Sequence, residues 1–251
     1  QDVYRGARPE TSAAQHSEQG GAMGTGDRRA HTLDGVEPLA QDYRGYTRHE
    51  LPPNGQGIGA LVSLGILDNF DMRALAVDSA DSLHVQIEAM KLAFADRAYW
   101  LGDPAFARVP RGLVDKGYAK ELAAKLNPHE TIKVPKQGEP PAWQSDVFSK
   151  HTTHVATADA AGNWVALTQT INTSFGSKVI VPGTGVFLNN EMDDFSIAPG
   201  KPNAFGLVGA EAHAVEPLKR PLSTMSPPLL LQRDHPALTL GAACGPPTVS
   251  Q

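Results

Sequence analysis

Two strand-like segments joined by a short glycine-containing turn constrain the fold more than any other feature of this sequence. They span residues 151–158 and 164–172, and both are rich in residues that favour strands. A loop of residues 160–162 between them places Gly162 where a hairpin needs a left-handed backbone. The sequence therefore predicts an antiparallel β-hairpin.

Counting back from this turn gives the register of the hairpin. The predicted pairs are Asp159 with Asn163, Val155 with Leu167, His154 with Thr168 and Thr152 with Thr170. Because alternate strand residues point to the same face, Thr170 lies beside Thr152 and Asn172 follows on that face. The opposite face is apolar, and we expect it to pack in a core. Its members are Val155, Val165 and Leu167.

Upstream of the hairpin the pattern is largely helical. Residues 43–51 are predicted to form a strand and residues 58–70 a buried helix. Asp78 and Asp81 begin the clearest helix, whose predicted buried stripe is Leu83, Ile87, Met90 and Phe94, and whose predicted solvent-facing residues are His84, Glu88 and Lys91. Residues 134–149 are polar and proline-rich, which predicts an exposed linker and suits a cleavage site before the hairpin.

Charge and composition exclude several kinds of partner. The 251 residues include 22 basic and 27 acidic ones, a net charge of −5 without a basic cluster, which argues against nucleic acid or an anionic membrane as the main partner. No apolar run approaches the ~18 residues of a membrane span. The single cysteine, Cys244, excludes an intrachain disulfide and a cysteine-only metal site. His151 and His154 point to opposite faces of a strand, so no metal site is predicted there.

Four motifs follow one another from Thr152 onwards. They are Thr152-Thr153-His154, residues 170–176, residues 188–196 and residues 219–227. A threonine is a nucleophile when cleavage makes it an N-terminus, because its own α-amine then serves as the base. In this order the motifs resemble the γ-glutamyltransferase (glutathione hydrolase) family, over residues 43–251 and more loosely before them.

The resemblance implies a fold and a way of maturing. The family belongs to the N-terminal nucleophile hydrolases, so we expect an α+β fold, a four-layer αββα sandwich that is incomplete in this chain. Such proteins are made as a precursor that cuts itself, here between His151 and Thr152. Residues 1–151 would be the C-terminal part of the large subunit and residues 152–251 the N-terminal part of the small subunit. Because both ends resemble cuts through a larger protein, we expect a partial chain.

The resemblance also implies roles for individual residues. Thr152 would be the nucleophile and Thr170 its hydrogen-bonding partner. A γ-glutamyl head group carries an ammonium and a carboxylate, which need partners of opposite polarity. The expected partners are Glu191 and Asp194 for the ammonium, Asn172 for the ammonium or the neighbouring acids, and Ser223 and Thr224 for the carboxylate, with Asp193 structural.

Two departures from the family pattern lie in the binding site. Cys244 and Gly245 match the glycine pair whose backbone N–H groups form the family's oxyanion hole. Cys244 replaces the first glycine, which strains the backbone if φ is positive there. Thr224 replaces a serine and keeps the hydroxyl. The arginine that grips the substrate carboxylate in the family has no counterpart here, and Arg220 is a poor substitute.

By the resemblance, the partners are small molecules and no cofactor or metal is expected. The substrates would be glutathione and other γ-glutamyl compounds, with water, amino acids or dipeptides as acceptors, and the two subunits of one precursor would associate. A periplasmic or extracellular location is expected from the family. Two alternatives stay open: a cephalosporin or glutaryl acylase of the same superfamily, and an inactive fragment. Glu191 with Asp194 favours a substrate with an α-ammonium, which a glutaryl group lacks.

Overall fold

Helices dominate the first half of the chain and strands the second. The computed structural model describes residues 7–18, 24–30, 35–133 and 150–242, so the predicted linker over residues 134–149 lies outside the described residues. The helices are α1 (Ala7–Glu18), α2 (Thr25–Arg29), α3 (Gly57–Leu67), α4 (Ala80–Trp100) and α5 (Lys116–Ala123). The strands are β1 (Leu39–Tyr43), β2 (Tyr46–Glu50), β3 (Lys150–Ala158), β4 (Trp164–Thr173), β5 (Ile180–Val181), β6 (Val186–Phe187), β7 (Leu229–Gln232) and β8 (His235–Thr239). Separate helices and antiparallel sheets are the expected α+β class. No described helix is both long and apolar enough to cross a membrane.

Helices α3, α4 and α5 build the core. The sequence of α3 is apolar on all sides, and such a helix is stable only when it is surrounded. It is accordingly buried along almost its whole length, with Ile58, Val62 and Ile66 in the main apolar cluster. Gly65 lets α5 approach closely, since a Cβ there would lie 3.1 Å from that of Ala119. The predicted buried helix over residues 58–70 is thereby confirmed, although it ends three residues earlier.

Helix α4 begins where predicted but buries a different face. The side chain of Ser79 caps it by accepting the Ser82 N–H at 3.1 Å. Leu83 and Ile87 of the predicted stripe are 45% and 49% exposed, whereas the buried residues are Ser82, Val85, Glu88, Ala89, Leu92, Ala93 and Arg97. The predicted stripe and the solvent-facing assignment of Glu88 are therefore wrong. Glu88 is buried because its carboxylate accepts from Lys91 Nζ at 2.9 Å and from the distant Ile132 N–H at 2.8 Å.

The largest sheet is antiparallel with the strand order β1-β2-β7-β8. The turn between β1 and β2 consists of Arg44 and Gly45, with φ of +50° and +87°. Two positive φ values give a turn whose twist matches that of a hairpin. The strand predicted over residues 43–51 is present as β2, but it begins later because this turn occupies Arg44 and Gly45, and the preceding strand β1 was not predicted. Pairing of β2 with β7 brings the two halves of the chain together.

Strands β3 and β4 form the predicted hairpin in the predicted register. Its pairs include Thr152 with Thr170, His154 with Thr168 and Val155 with Leu167, and Gly162 has a φ of +88°. The prediction that the opposite face packs in a core is wrong for the described residues. Val155, Val165 and Leu167 are 50%, 53% and 51% exposed. The period of two assigns side chains to a face, but it does not determine what covers that face.

Candidate active site

Thr152 and Thr170 meet at the open end of the β3–β4 hairpin. The Thr152 Oγ1 hydroxyl donates to Thr170 Oγ1 at 3.2 Å. Thr170 Oγ1 also accepts the Asn172 backbone N–H at 2.9 Å, which fixes its position. The strand ladder is irregular between Lys150 and Thr152. Two steps along β3, from Lys150 to Thr152, are matched by three along β4, from Thr173 to Thr170, so the bond predicted to be cut lies opposite an irregular part of β4. Such irregularities often occur beside active sites.

Asn172 turns the chain from β4 towards the acidic motif. Its φ of +79° is in the left-handed region, which asparagine tolerates better than most other residues. Its side-chain Nδ2 donates to the carbonyl oxygen of Asn190 at 3.1 Å. The positive φ therefore interrupts the regular strand one residue before its end, and the amide lies against the segment that carries Glu191 and Asp194.

Asn190 connects the end of β4 to the acidic motif. Its Oδ1 accepts from the backbone N–H and the hydroxyl of Thr173, both at 3.0 Å. Its Nδ2 donates to Asp193 Oδ2 at 2.8 Å, so Asp193 makes a structural contact within the motif. Gly176 lets the two segments touch, because a Cβ there would overlap the carbonyl group of Leu188. No role was predicted for Asn190, although the pair Asn189-Asn190 before the acids was the available signal.

Glu191 and Asp194 form an acidic pair in which Asp194 is buried and Glu191 is half-buried. Both lie on one 3₁₀ turn, Glu191–Asp194, in which residues three apart are eclipsed. Burial raises the pKa of Glu191 to about 8, and the hydrogen bond and charge of Asp194 add to the shift. Burial also raises the pKa of Asp194, against the opposing effects of a hydrogen bond from Glu191, the charge of Arg97 and a hydrogen bond from Asn172. At neutral pH the pair therefore shares a proton.

Arg97 lies close enough for its charge to act on Asp194, and His213 contacts Arg97. Neither residue was predicted from the sequence as part of the site. Arg97 is only 4% exposed, and its Nε has no hydrogen-bond partner among the described residues. Burial lowers its pKa to about 10, against the favourable charge of Asp194. His213 Nε2 donates to the Arg97 carbonyl oxygen at 3.3 Å, and burial followed by the Arg97 charge lowers the pKa of His213 to about 4. The charge of the buried Arg97 therefore acts on Asp194, and the neutral His213 contacts Arg97.

Ser223 and Thr224 lie on a segment that a loop after β2 holds in place. Both are half-buried. The contacts are Ser223 N–H to the Asn54 carbonyl at 2.9 Å, Asn54 Nδ2 to the Pro221 carbonyl at 2.8 Å, Gln56 N–H to the Met225 carbonyl at 3.3 Å, and Ser226 Oγ to both carboxylate oxygens of Glu50 at 2.9 Å. The position of these two hydroxyl groups therefore depends on residues 50–57, from the other half of the chain.

The predicted oxyanion residues Cys244 and Gly245 lie outside the described residues. Within the described part of the chain, no group of three or more His, Cys, Asp or Glu side chains is placed to hold a metal ion. There, too, Thr152 Oγ1 is hydrogen-bonded to Thr170 and to no histidine or carboxylate. Chemically, the site combines a hydroxyl group with a proton-sharing acidic pair suited to a cation. A hydroxyl nucleophile also needs a base, and the α-amine of an N-terminal threonine is one such base.

Comparison with known proteins matches most of this chain to a known family. A sequence model of the family described as Gamma-glutamyltranspeptidase matches residues 1–250. The chain is 39% identical over 246 residues to the Glutathione hydrolase proenzyme of Escherichia coli (strain K12), covering 97% of this chain and 42% of that protein. It is 37% identical over 230 residues to the Acylase ACY 1 proenzyme of Pseudomonas sp. (strain SE83), covering 88% and 37% of the two chains.

A solved structure has a similar fold. The cephalosporin acylase from Bacillus halodurans matches with a TM-score of 0.76 and 32% sequence identity, covering 96% of this chain and 40% of that chain. The chain therefore spans about two fifths of the length of these relatives.

Proposed function

Because this chain belongs to the gamma-glutamyltranspeptidase family, we propose that Thr152 is the nucleophile of a γ-glutamyl hydrolase and transferase that matures by cutting its own backbone. The observation that carries the proposal is the linked set of contacts from Thr152 through Thr170 and Asn172 to Asp194 and Glu191. It joins a hydroxyl nucleophile to a site for a cation. A γ-glutamyl compound presents a carbonyl and an ammonium in one molecule.

Maturation begins at the peptide bond between His151 and Thr152. Thr152 Oγ1 attacks the His151 carbonyl carbon, the C–N bond breaks, and the acyl group moves to the oxygen as an ester while the Thr152 nitrogen becomes a free amine. Water hydrolyses the ester, leaving a carboxylate on His151 and a free hydroxyl on Thr152. The register shift at Lys150 and Thr152 supports this step, because the carbonyl to be attacked lies in an irregular part of the ladder.

Turnover uses the same oxygen. Thr152 Oγ1 attacks the γ-carbonyl carbon of the substrate, and the α-amine of Thr152 takes the hydroxyl proton. The amine passes that proton to the leaving nitrogen, and a γ-glutamyl ester remains on Thr152. Water, or the amine of an amino acid or dipeptide, attacks the ester and restores the hydroxyl. Thr170 holds the nucleophile, and the backbone N–H groups at Cys244 and Gly245 bind the oxyanion.

Glu191 and Asp194 bind the substrate ammonium. Before substrate binds, the pair shares a proton because burial raises both pKa values. An entering ammonium stabilises both carboxylates and displaces that proton. Asn172 orients Asp194, and the hydroxyl groups of Ser223 and Thr224 receive the substrate carboxylate. The substrates are thus glutathione-like compounds, recognised by their head group.

The division into subunits and the layered architecture are part of the same proposal. Residues 1–151 are the large-subunit part and residues 152–251 the small-subunit part of a four-layer αββα sandwich. The exposed apolar face of the β3–β4 hairpin supports the sandwich, since it offers a second layer a surface to pack on. Pairing of β2 with β7 crosses the proposed cut and keeps the two products together.

A second candidate is a cephalosporin or glutaryl acylase, because acylases are among the similar proteins. The test compares γ-glutamyl p-nitroanilide with glutaryl p-nitroanilide, which lacks only the α-ammonium. We expect kcat/KM to favour the γ-glutamyl compound by about 100-fold or more, because the buried acids lose their partner with the glutaryl one. Asp194→Asn should reduce this preference. Preference for the glutaryl compound would establish the acylase. A correctly cleaved protein that turns over neither compound would instead support the inactive fragment.

A further inference from the structure

Arg97 is a buried cation that no step of the proposed reaction uses. It lies in the last turn of α4 and is only 4% exposed. Its Nε is buried without a hydrogen-bond partner among the described residues. Removing a guanidinium from water is costly, so a buried arginine needs an opposite charge near it. The favourable charge that acts on Arg97 is that of Asp194.

A segment over residues 210–214 joins the end of α4 to the acidic motif. The Ala210 N–H donates to the Ala98 carbonyl at 3.0 Å, and His213 Nε2 lies 3.3 Å from the Arg97 carbonyl oxygen. The carbonyl of His213 in turn accepts the Ser196 N–H at 2.9 Å. Because Ser196 is the second residue after the acidic pair, these contacts place the buried end of α4 against the segment that carries the pair.

In the described part of the chain, three elements bring titratable groups to this site. Arg97 acts on Asp194 from α4, and Asp193 acts on it from the pair's own turn. Asp193 is half-buried and accepts from Asn190, so water and that donor screen its charge. His213, on the third element, stays neutral because burial lowers its pKa to about 4. Arg97 is therefore the buried charge that opposes Asp194.

Glu191 and Asp194 hold one proton between them when the site is empty. Their carboxyl groups are hydrogen-bonded to each other, and such a bond needs one proton. The buried charges then cancel, because Arg97 balances the single negative charge of the pair. A substrate ammonium adds a positive charge, which ionisation of the second carboxyl group balances.

We propose that Arg97 is a positioning residue whose charge holds the ionised Asp194 in place and obliges Glu191 to release its proton when a substrate ammonium binds. The inference rests on the proposed function. The Glu191 O–H bond breaks, its electron pair stays on the carboxylate, and the proton passes to water, while no bond of the substrate changes. Without Arg97, Asp194 alone balances the ammonium and Glu191 keeps its proton.

The test measures KM and kcat of cleaved wild type, Arg97→Met and Arg97→Lys with γ-glutamyl p-nitroanilide from about pH 6 to pH 8, where the substrate ammonium stays charged. The wild-type KM should fall about 10-fold or more as pH rises, because proton release opposes binding at low pH. In Arg97→Met it should change less than about 3-fold, because no proton is released. Arg97→Lys keeps a positive charge and should restore the fall. The pH profile of kcat should be the same in all three proteins.

Arg73→Met is the matched control, since it removes an exposed guanidinium before α4 and should keep the wild-type profile. A merely structural loss would raise the KM of Arg97→Met by one factor at every pH. Such a parallel profile, or wild-type values, would overturn the role of Arg97.

Calorimetry keeps the proposal testable if Arg97→Met fails to fold or to cleave. L-glutamate, which carries the head group, is bound to the cleaved wild type in phosphate and in Tris, and the difference in heat counts the protons released. About one proton per site is expected at neutral pH, and none would overturn the role of Arg97. A cleaved wild-type protein without γ-glutamyl turnover would overturn the proposed function, whereas turnover with a KM that does not fall would overturn the role of Arg97 alone.

Discussion

Thr170 is the residue on which the placement of the Thr152 oxygen depends. Its hydroxyl contacts that of Thr152, the proposed nucleophile, and is itself fixed by the Asn172 N–H. Both contacts are hydrogen bonds of a single oxygen, so one atom can be removed to test them.

Thr170→Val should lower kcat for γ-glutamyl p-nitroanilide by about 10-fold or more, because valine keeps the branched shape and removes the oxygen that orients Thr152. KM should change little, since Glu191 and Asp194 are untouched. Steady-state kinetics on the cleaved protein checks this. Thr157→Val on the opposite face is the matched control, and an equal kcat in the two variants would contradict the role of Thr170.

Glu191 makes stability depend on pH in a defined direction. Its ordinary pKa is 4.5, and burial raises the pKa to about 8 in the folded chain. The folded state therefore holds a proton that the unfolded state releases, so the contribution of Glu191 is full below pH 4.5 and is lost as pH rises through about 8. Thermal unfolding should show a Tm that falls over this interval in the wild type and falls less in Glu191→Gln. Identical pH profiles would contradict the raised pKa.

The sequence predicted some site residues and not others for a physical reason. Thr152 and Thr170 could be paired because a three-residue loop and a period of two determine the register by local counting. Arg97 could not be connected to Asp194, because their approach depends on how α4 packs against the acidic motif. The contact of Asn190 with Thr173 was equally hidden, since the two become neighbours only after the chain turns at Asn172, whereas Asp193 is only three residues from Asn190.

At the scale of elements, the β3–β4 hairpin has one face occupied by the site and one apolar face exposed. Val155 and Leu167 oppose each other on that exposed face. Side chains of this kind gain about 1.5–3 kcal/mol each when a second layer covers them fully. The proposed sandwich requires such a layer.

The double variant Val155→Thr, Leu167→Thr should therefore destabilise the protein by about 2 kcal/mol or more, measured by chemical unfolding. Threonine retains the preference for strands, so the loss reports burial and not strand formation. Val36→Thr is the control, because Val36 is 57% exposed and lies outside the sheets. Equal stabilities of the two variants would show that no second layer covers this face.

For helix α4, the start could be predicted from the sequence but the buried face could not. Its start was predictable from local sequence, since Asp78 and Asp81 lie beside the Ser79 cap. Its buried face was not, because Glu88 and Arg97 turn inward. Glu88 does so for partners such as Ile132, which lies 44 residues away. Long-range polar contacts of this kind, and not the spacing of the apolar residues, determined which face of α4 is buried.

At the scale of the whole molecule, the site is assembled from both halves of the chain. Residues 50–57 hold the segment that carries Ser223 and Thr224, and Ser226 donates to the buried Glu50. Arg48 also binds Glu50, so this carboxylate is central to the contact.

Ser226→Ala should destabilise the protein by about 1–3 kcal/mol, because the buried carboxylate of Glu50 loses a donor. KM for γ-glutamyl p-nitroanilide should rise as Ser223 and Thr224 lose their support, with a smaller change in kcat. Unfolding curves and kinetics measure the two effects. Thr131→Ala, at an exposed position, is the control, and a Ser226→Ala variant that matches it in both readouts would refute the link.

The central claim is that Thr152 becomes an N-terminus and then acts as the nucleophile. Intact-mass analysis of the purified protein tests it most directly, with Thr152→Ala as the control. We expect two fragments divided between His151 and Thr152, with the second beginning at Thr152, and an uncleaved chain for the variant. A wild-type protein that turns over γ-glutamyl p-nitroanilide while intact, or that is cut at another bond, would contradict the claim.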